Sequence, residues 1–200
     1  MERPGGNVTG ITSFDAHQAS KQFEILKEVI PRLSRVAILS DQSIPRAQDG
    51  WNPFEKAYET AARASGLQPH WIRVLGPEPD LVGAFKKIAD EQLEAVVVLE
   101  VPVTLASLKS ISELAAKHRL PTMFPAGWPN DGLITFGTSI LNATPLIPIY
   151  VDRILKGAKP ADMAIEVITR RELVINLKTA KEIGVTIPPE LVSRADRVVE

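Results

Sequence analysis

Short apolar runs of strand length alternate with segments of helical period along most of this chain, and that rhythm constrains its fold more than any other feature. Arg35-Val36-Ala37-Ile38-Leu39-Ser40 is apolar without alternation, which suits a strand covered on both faces. His70 to Val74 and Ala95 to Leu99 read as the next two strands, Thr122-Met123-Phe124 as a brief fourth and Leu133 to Phe136 as a fifth. Helices fall between them. Phe23, Leu26 and Ile30 share one stripe behind an Asp15–Gln18 capping pair. Asn52-Pro53-Phe54-Glu55 sets an N-cap, a proline at the first helical position and a glutamate at the third. Phe54, Ala57, Tyr58, Ala61 and Ala62 then form an inward face as far as Gly66. Asp80 caps a helix with Leu81, Phe85 and Ile88 inward, and Leu105, Leu108, Ile111 and Leu114 mark another that runs to Arg119. Strand–helix units repeated in this way predict a parallel sheet with helices on both faces, a doubly wound α/β fold.

The rhythm changes beyond Phe136. Ile147, Tyr150, Val151, Ile154 and Leu155 give a helix ending at Gly157, and Lys159-Pro160-Ala161-Asp162 reads as a linker. Ala164 to Thr169 and Glu172 to Asn176 are short extended pieces. A small helix from Thr179 to Ile183 stops at Gly184, and a final turn runs through Arg194. The opposite end is unusual as well. Pro4-Gly5-Gly6 is turn chemistry with nothing before it to turn from, and by itself reads as a frayed end. Asn7 to Ser13 follows as an extended piece.

Composition narrows the chemistry. A net charge of −1 over 200 residues gives no global attraction to nucleic acid or an anionic membrane. The absence of cysteine removes disulfides, thiol catalysis and cysteine-ligated zinc. No apolar run approaches the roughly 18 residues needed to span a bilayer. His17 and His118 fall on exposed-looking helix positions and His70 in a strand, with no carboxylate spacing that suggests a triad or a metal pair. There is no P-loop, no G-x-S-x-G, and no strand before Gly5-Gly6 as a dinucleotide fingerprint requires. Binding without catalysis is the expectation, and no cofactor is implied.

In an open parallel sheet, ligands bind beyond the carboxyl ends of the strands. Those ends are Ser40-Asp41-Gln42-Ser43, Glu100-Val101-Pro102-Val103 and Pro125 to Asn130. Trp128, between two prolines and beside Gly127, either stacks on a ligand or packs on its own loop. Ser40 and Asp41 either bond a ligand or cap backbone at a turn, with capping favoured. Glu100 follows a buried strand directly, where a carboxylate needs a partner: a ligand cation, or a neighbouring Lys or Arg.

Arg3-Pro4-Gly5-Gly6-Asn7-Val8-Thr9-Gly10 and Leu26-Lys27-Glu28-Val29-Ile30-Pro31 resemble the middle of an ABC-transporter substrate-binding protein. So do Leu114 to Pro121, Tyr150 to Asp162, and the tail from Glu172 to Lys181 with Gly184 and Ile187-Pro188-Pro189. The resemblance is to the tryptophan- and tyrosine-type proteins with a type I periplasmic fold, a two-lobed clamp closing on a solute. It implies that residues 1–15 are an interlobe crossing, 16–137 a complete flavodoxin-like α/β lobe, 138–162 a crossing and helix belonging to a missing lobe, and 163–200 a return to the α/β lobe. The turn-like start then reads as a crossing whose first half is gone, as in an N-terminally truncated chain.

The same resemblance implies a small amino-acid-like or polar organic solute, an ABC permease partner, and a periplasmic or lipid-anchored location, although this chain begins with no signal peptide. Ser13, Ser40, Asp41, Glu100, Pro102, Trp128 and Thr138 are the residues expected to line the cleft. The alternative is a ligand-sensing regulatory domain of the same fold; a flavodoxin-like enzyme is disfavoured by the lack of a phosphate loop or acidic pocket. The stripe Ile147, Val151, Ile154 and Leu155 would be left without the sheet it normally covers, and is expected to find a second copy of the chain or its own lobe. Two departures stand out: Ser139 replaces an acidic or amide residue common there, and Pro145 and Pro148 interrupt a usually regular helix, so that either the helix starts late, with Pro148 near its first turn, or this lineage has drifted.

Overall fold

The computed structural model describes residues 4–13 and 16–200. The chain opens with β1 (Ile11–Thr12) and α1 (Ala16–Val29), then β2 (Arg35–Asp41), α2 (Pro53–Ala64), β3 (Gln68–Val74), α3 (Leu81–Asp90) and β4 (Ala95–Val98). It continues through α4 (Pro102–Ala106), α5 (Leu108–Lys117), β5 (Thr122–Phe124), β6 (Ile134–Thr138) and, past a 3-10 turn at Ile140–Ala143, α6 (Ile147–Leu155). The last elements are β7 (Glu166–Val167), β8 (Arg171–Asn176), α7 (Leu177–Ile183), α8 (Pro189–Ser193) and β9 (Arg197–Val199).

The main sheet has the order β3-β2-β4-β5-β6-β8-β9. Strands β2 to β6 are mutually parallel, whereas β8 lies antiparallel to β6. Its centre is dry on both sides: Val36, Ala37, Ile38 and Leu39 of β2 and Ala95 to Val98 of β4 are all fully buried. That is the physical reason those runs carry no polar alternation. Helices α1 and α2 pack together, as do α3, α5 and α7. The doubly wound α/β architecture read from the sequence is the observed one. Because β3 adds on one side of β2 and β4 on the other, the strand order reverses between β2 and β4. A crevice opens at the carboxyl ends there.

Local chemistry starts and stops the helices. The Asn52 side chain accepts the Glu55 backbone N–H at 2.8 Å with Pro53 at the first helical position, and Asp80 caps α3 by accepting from Gly83. Gly184 ends α7 at φ 77°, the left-handed geometry that glycine takes without strain. The capping role expected of Asp15 lies outside the described residues, as does Arg3 of the opening motif.

Three expectations change. The helix expected from Leu105 to Arg119 is two, broken at Ser107, whose N–H bonds the Thr104 carbonyl three residues back at 3.0 Å in a tighter turn than the α-helical one. Strand β9 adds an edge that the sequence did not announce. The buried face of α2 is Glu55, Tyr58, Ala61 and Ala62, while Phe54 is 48% exposed. The helix near Pro148 does start late, with that proline in its first turn.

Residues 4–13 and the segment after α6 run side by side. β1 and β7 pair in parallel as a separate two-stranded sheet, and the Thr9 hydroxyl donates to the Met163 carbonyl at 2.9 Å. Helix α6 buries none of its residues: Ile147, Val151 and Leu155 are 53%, 49% and 81% exposed. Ile147, Val151 and Ile154 face Thr9, Gly10 and Ile11 across an apolar groove of about 300 Å³.

Candidate functional site

At the switch between β2 and β4 lies a recess of about 50 Å³, walled by α1, α2 and the segment after β4. Helix α2 starts at the carboxyl edge of the sheet, so the residues of its first turns stand over that edge. They contribute Phe54, Ala57 and Tyr58; α1 contributes Gln18 and Ala19; Leu99, Glu100 and Val101 form the floor, and Ser13 closes one side.

A relay of hydrogen bonds holds this wall. The Tyr58 hydroxyl donates to Gln22 Oε1 at 2.7 Å, and Gln22 Nε2 donates to the Phe136 carbonyl at 2.6 Å. One turn earlier, Gln18 Oε1 accepts the Thr138 backbone N–H at 2.9 Å. Gly137 makes room for that bond, since a Cβ there would sit 2.7 Å from Gln18 Oε1. The last residues of β6, where the chain leaves the sheet, are thereby tied to the two helices that wall the recess. Burial raises the Tyr58 pKa, with the Glu100 charge adding to it and hydrogen bonds to Gln18 and Gln22 opposing it. The phenol therefore stays neutral.

Glu100 is half-buried at the end of β4. Its Oε1 accepts the Trp128 indole N–H at 3.3 Å, and burial raises its pKa against that bond. Trp128 projects from the Pro125–Pro129 loop, where Gly127 takes φ 87° and a side chain would collide with Ser139. The other side of Trp128 lines a second groove, of about 440 Å³, with Asn130, Asn142 and Glu172.

Of the residues expected at the cleft, Ser13 and Glu100 line the recess and Trp128 reaches it through Glu100. Thr138 stands behind Gln18; its Oγ1 is buried with no hydrogen-bond partner among the described residues. Pro102 is exposed at the start of α4. The structure does not bring Ser40 and Asp41 to the recess. The Ser40 hydroxyl donates to Glu55 Oε1 at 3.0 Å, and Asp41 Oδ1 accepts both the backbone N–H and the hydroxyl of Ser43 at 2.7 Å. Their side chains fasten the loop after β2, the capping role favoured by their position.

Sequence reasoning missed Gln18, Phe54 and Tyr58. A signal for the last two was present. Asn52-Pro53 fixes a helix start straight after the first strand of the main sheet, so an aromatic in the following turn has to stand at the carboxyl edge. His70 Nδ1 lies 2.9 Å from Glu91 Oε2 at the start of edge strand β3, away from the recess. Among the described residues, no group of three His, Asp or Glu could hold a metal ion, and no helix is long and apolar enough to cross a membrane.

A family model for ABC transporter substrate-binding proteins matches residues 1–199. The chain belongs to that family. The chain superposes on the ABC domain in complex with L-Trp from Streptococcus pneumonia with a TM-score of 0.82 at 23% identity, covering 98% of this chain and 66% of that one. A conserved domain protein from Vibrio cholerae gives 0.87 at 22%, over 98% and 64%. A substrate-binding protein with adhesive properties from Clostridium difficile, ligand-free and open, gives 0.64 at 17%, over 99% and 64%. The chain thus spans just under two thirds of the length of these relatives, and its fold is the type I periplasmic-binding-protein fold. No curated protein matches the sequence.

Proposed function

We propose that this chain is part of the solute-binding component of an ABC-type importer, taking a small amino-acid-like or polar organic molecule at the recess between β2 and β4. The observation that carries the reading is the recess itself. It lies at the switch point of a doubly wound sheet in a family of binding proteins, with aromatic walls, a carboxylate and a buried hydrogen-bond relay behind them. L-Trp in the Streptococcus relative supports an amino-acid-like ligand.

In this reading residues 16–137 form one jaw, 1–15 and 138–162 are crossings, and 163–200 return to the jaw. A recess of about 50 Å³ is far below the 300–1,000 Å³ of ordinary ligand sites, so one jaw takes hold of only one end of the solute. The importing partner is a membrane permease, and the site of action is periplasmic or at a lipid anchor. The apolar side of α6 is a face that seeks a cover, for which a second copy of the chain is the candidate. A calorimetric screen of amino acids and aromatic acids tests the reading. Saturable heat with an amino acid is expected, and no heat with any of them would overturn the amino-acid class.

A further inference from the structure

Among the described residues, the recess is lined by one formal charge and no counter-charge. Among the described residues Glu100 is the one acidic or basic residue in the lining, and no Lys, Arg or His pairs with it there; the partner it has is the neutral indole N–H of Trp128. Glu55, a fully buried carboxylate, is treated differently, since Arg46 and Arg73 both bond it at 3.0–3.3 Å. A carboxylate drawn out of water without a cation is unfavourable, and a cation brought by the solute would relieve that penalty.

The remaining walls suit the same occupant. Phe54 and Tyr58 line the same recess as the carboxylate, and aromatic rings attract cations. The volume of about 50 Å³ admits an ammonium-sized head but no ring. None of the described lining residues offers a positive charge to a solute carboxylate.

We propose that Glu100 is the charge-recognising group of this jaw, and that the solute presents a protonated nitrogen to it with its apolar body lying outward against Phe54. The proposal rests on the solute-binding reading above and adds the sign of the recognised group.

Three near-isosteric probes separate the possibilities: phenethylamine as cation, 3-phenylpropionate as anion and 3-phenylpropanamide as neutral control. Each is titrated at pH 7 into the nitrogen-15-labelled full chain. The Trp128 indole resonance is followed, assigned through Trp128→Phe. The amine is expected to saturate this signal with a Kd at least about tenfold below those of the acid and the amide. Glu100→Gln should abolish the preference, and Glu100→Asp, which keeps the charge, should retain its sign. The dispersed spectrum of each variant verifies its fold in the same experiment.

Equal or tighter binding of the acid or amide, or a tenfold preference surviving in Glu100→Gln, overturns the assignment. If the acid or amide saturates and the amine does not, the charge assignment falls while the solute-binding reading stands. If none of the three moves any resonance of the recess, both fall.

Discussion

Replacing Glu55 with alanine should destabilise the fold by about 3 kcal/mol. Glu55 is 0% exposed, one turn before Tyr58 on α2, and gathers Ser40 from β2, Arg73 from β3 and Arg46 from the loop between β2 and α2. Removing one partner from a buried ion pair costs about 3–5 kcal/mol, because the survivor is left uncompensated in low dielectric. Here the survivors are arginines whose side chains are 23% and 30% exposed, so both can reach water and the lower end applies. In a chain of 200 residues each kcal/mol moves the melting temperature by about 2–4 °C, so Glu55→Ala should melt about 6–12 °C below wild type.

Glu55→Gln keeps the shape and one acceptor, and should lose about half as much. The pH dependence has a definite sign. Burial pushes the Glu55 pKa up, but Arg73, Arg46 and Ser40 outweigh it and hold the carboxyl below its ordinary 4.5. Its contribution is therefore present above that value and is lost as pH falls through the lowered pKa. The gap between wild type and Glu55→Gln should be constant near neutrality and close only in acid. Thermal and urea melts followed by circular dichroism measure all of this. A Glu55→Ala variant within about 1 kcal/mol of wild type at neutral pH would refute the buried-hub account of α2.

Three further outcomes are expected. Glu100→Gln should stabilise the unliganded chain at neutral pH: the raised Glu100 pKa means that its charge opposes folding, absent below the ordinary 4.5 and complete above the raised value, so an advantage that does not vanish in acid would contradict it. Gly137→Ala should cost about 1–3 kcal/mol by urea midpoint, since the new Cβ would crowd Gln18 and break its bond to the Thr138 N–H; a neutral effect would show that the relay is dispensable. Sedimentation should show self-association, or an apolar dye should bind, through Ile147, Val151, Ile154 and Leu155, and either effect should disappear when Val151 and Leu155 become Ser; a monomer that binds no dye would show that the α6 face needs no cover.

The sheet was legible because its strands obey a simple rule. Residues 36–39 and 95–98 are buried on both faces and so are uninterruptedly apolar, and Asn52-Pro53, Asp80 and Gly184 mark helix ends by local chemistry alone. What stayed hidden depends on partners far along the chain. Glu55 looks like a surface residue until arginines 9 and 18 positions away neutralise it. Ser40 and Asp41 sit where a ligand residue could, yet nearby donors and acceptors engage them. Gln18 reads as ordinary helix surface until β6, 120 positions later, delivers the Thr138 N–H. Phe54 was read as core because its spacing is right for the buried face. Pro53 instead places it in the first turn, at the open edge of the sheet. Strand β9 is three residues long at the sheet edge and too partly exposed to carry an apolar signature.

The most direct measurement of the central claim is a thermal-shift screen of small solutes, with each hit repeated on Phe54→Ala, Glu100→Gln and, at the distant groove between α5 and α7, Lys178→Ala. A ligand at 100 times its Kd stabilises by about 2.7 kcal/mol, a shift of several degrees in a chain of this size. Hits are expected whose shift is lost in Phe54→Ala and Glu100→Gln and kept in Lys178→Ala. Hits insensitive to both recess variants would place the solute elsewhere and contradict the claim.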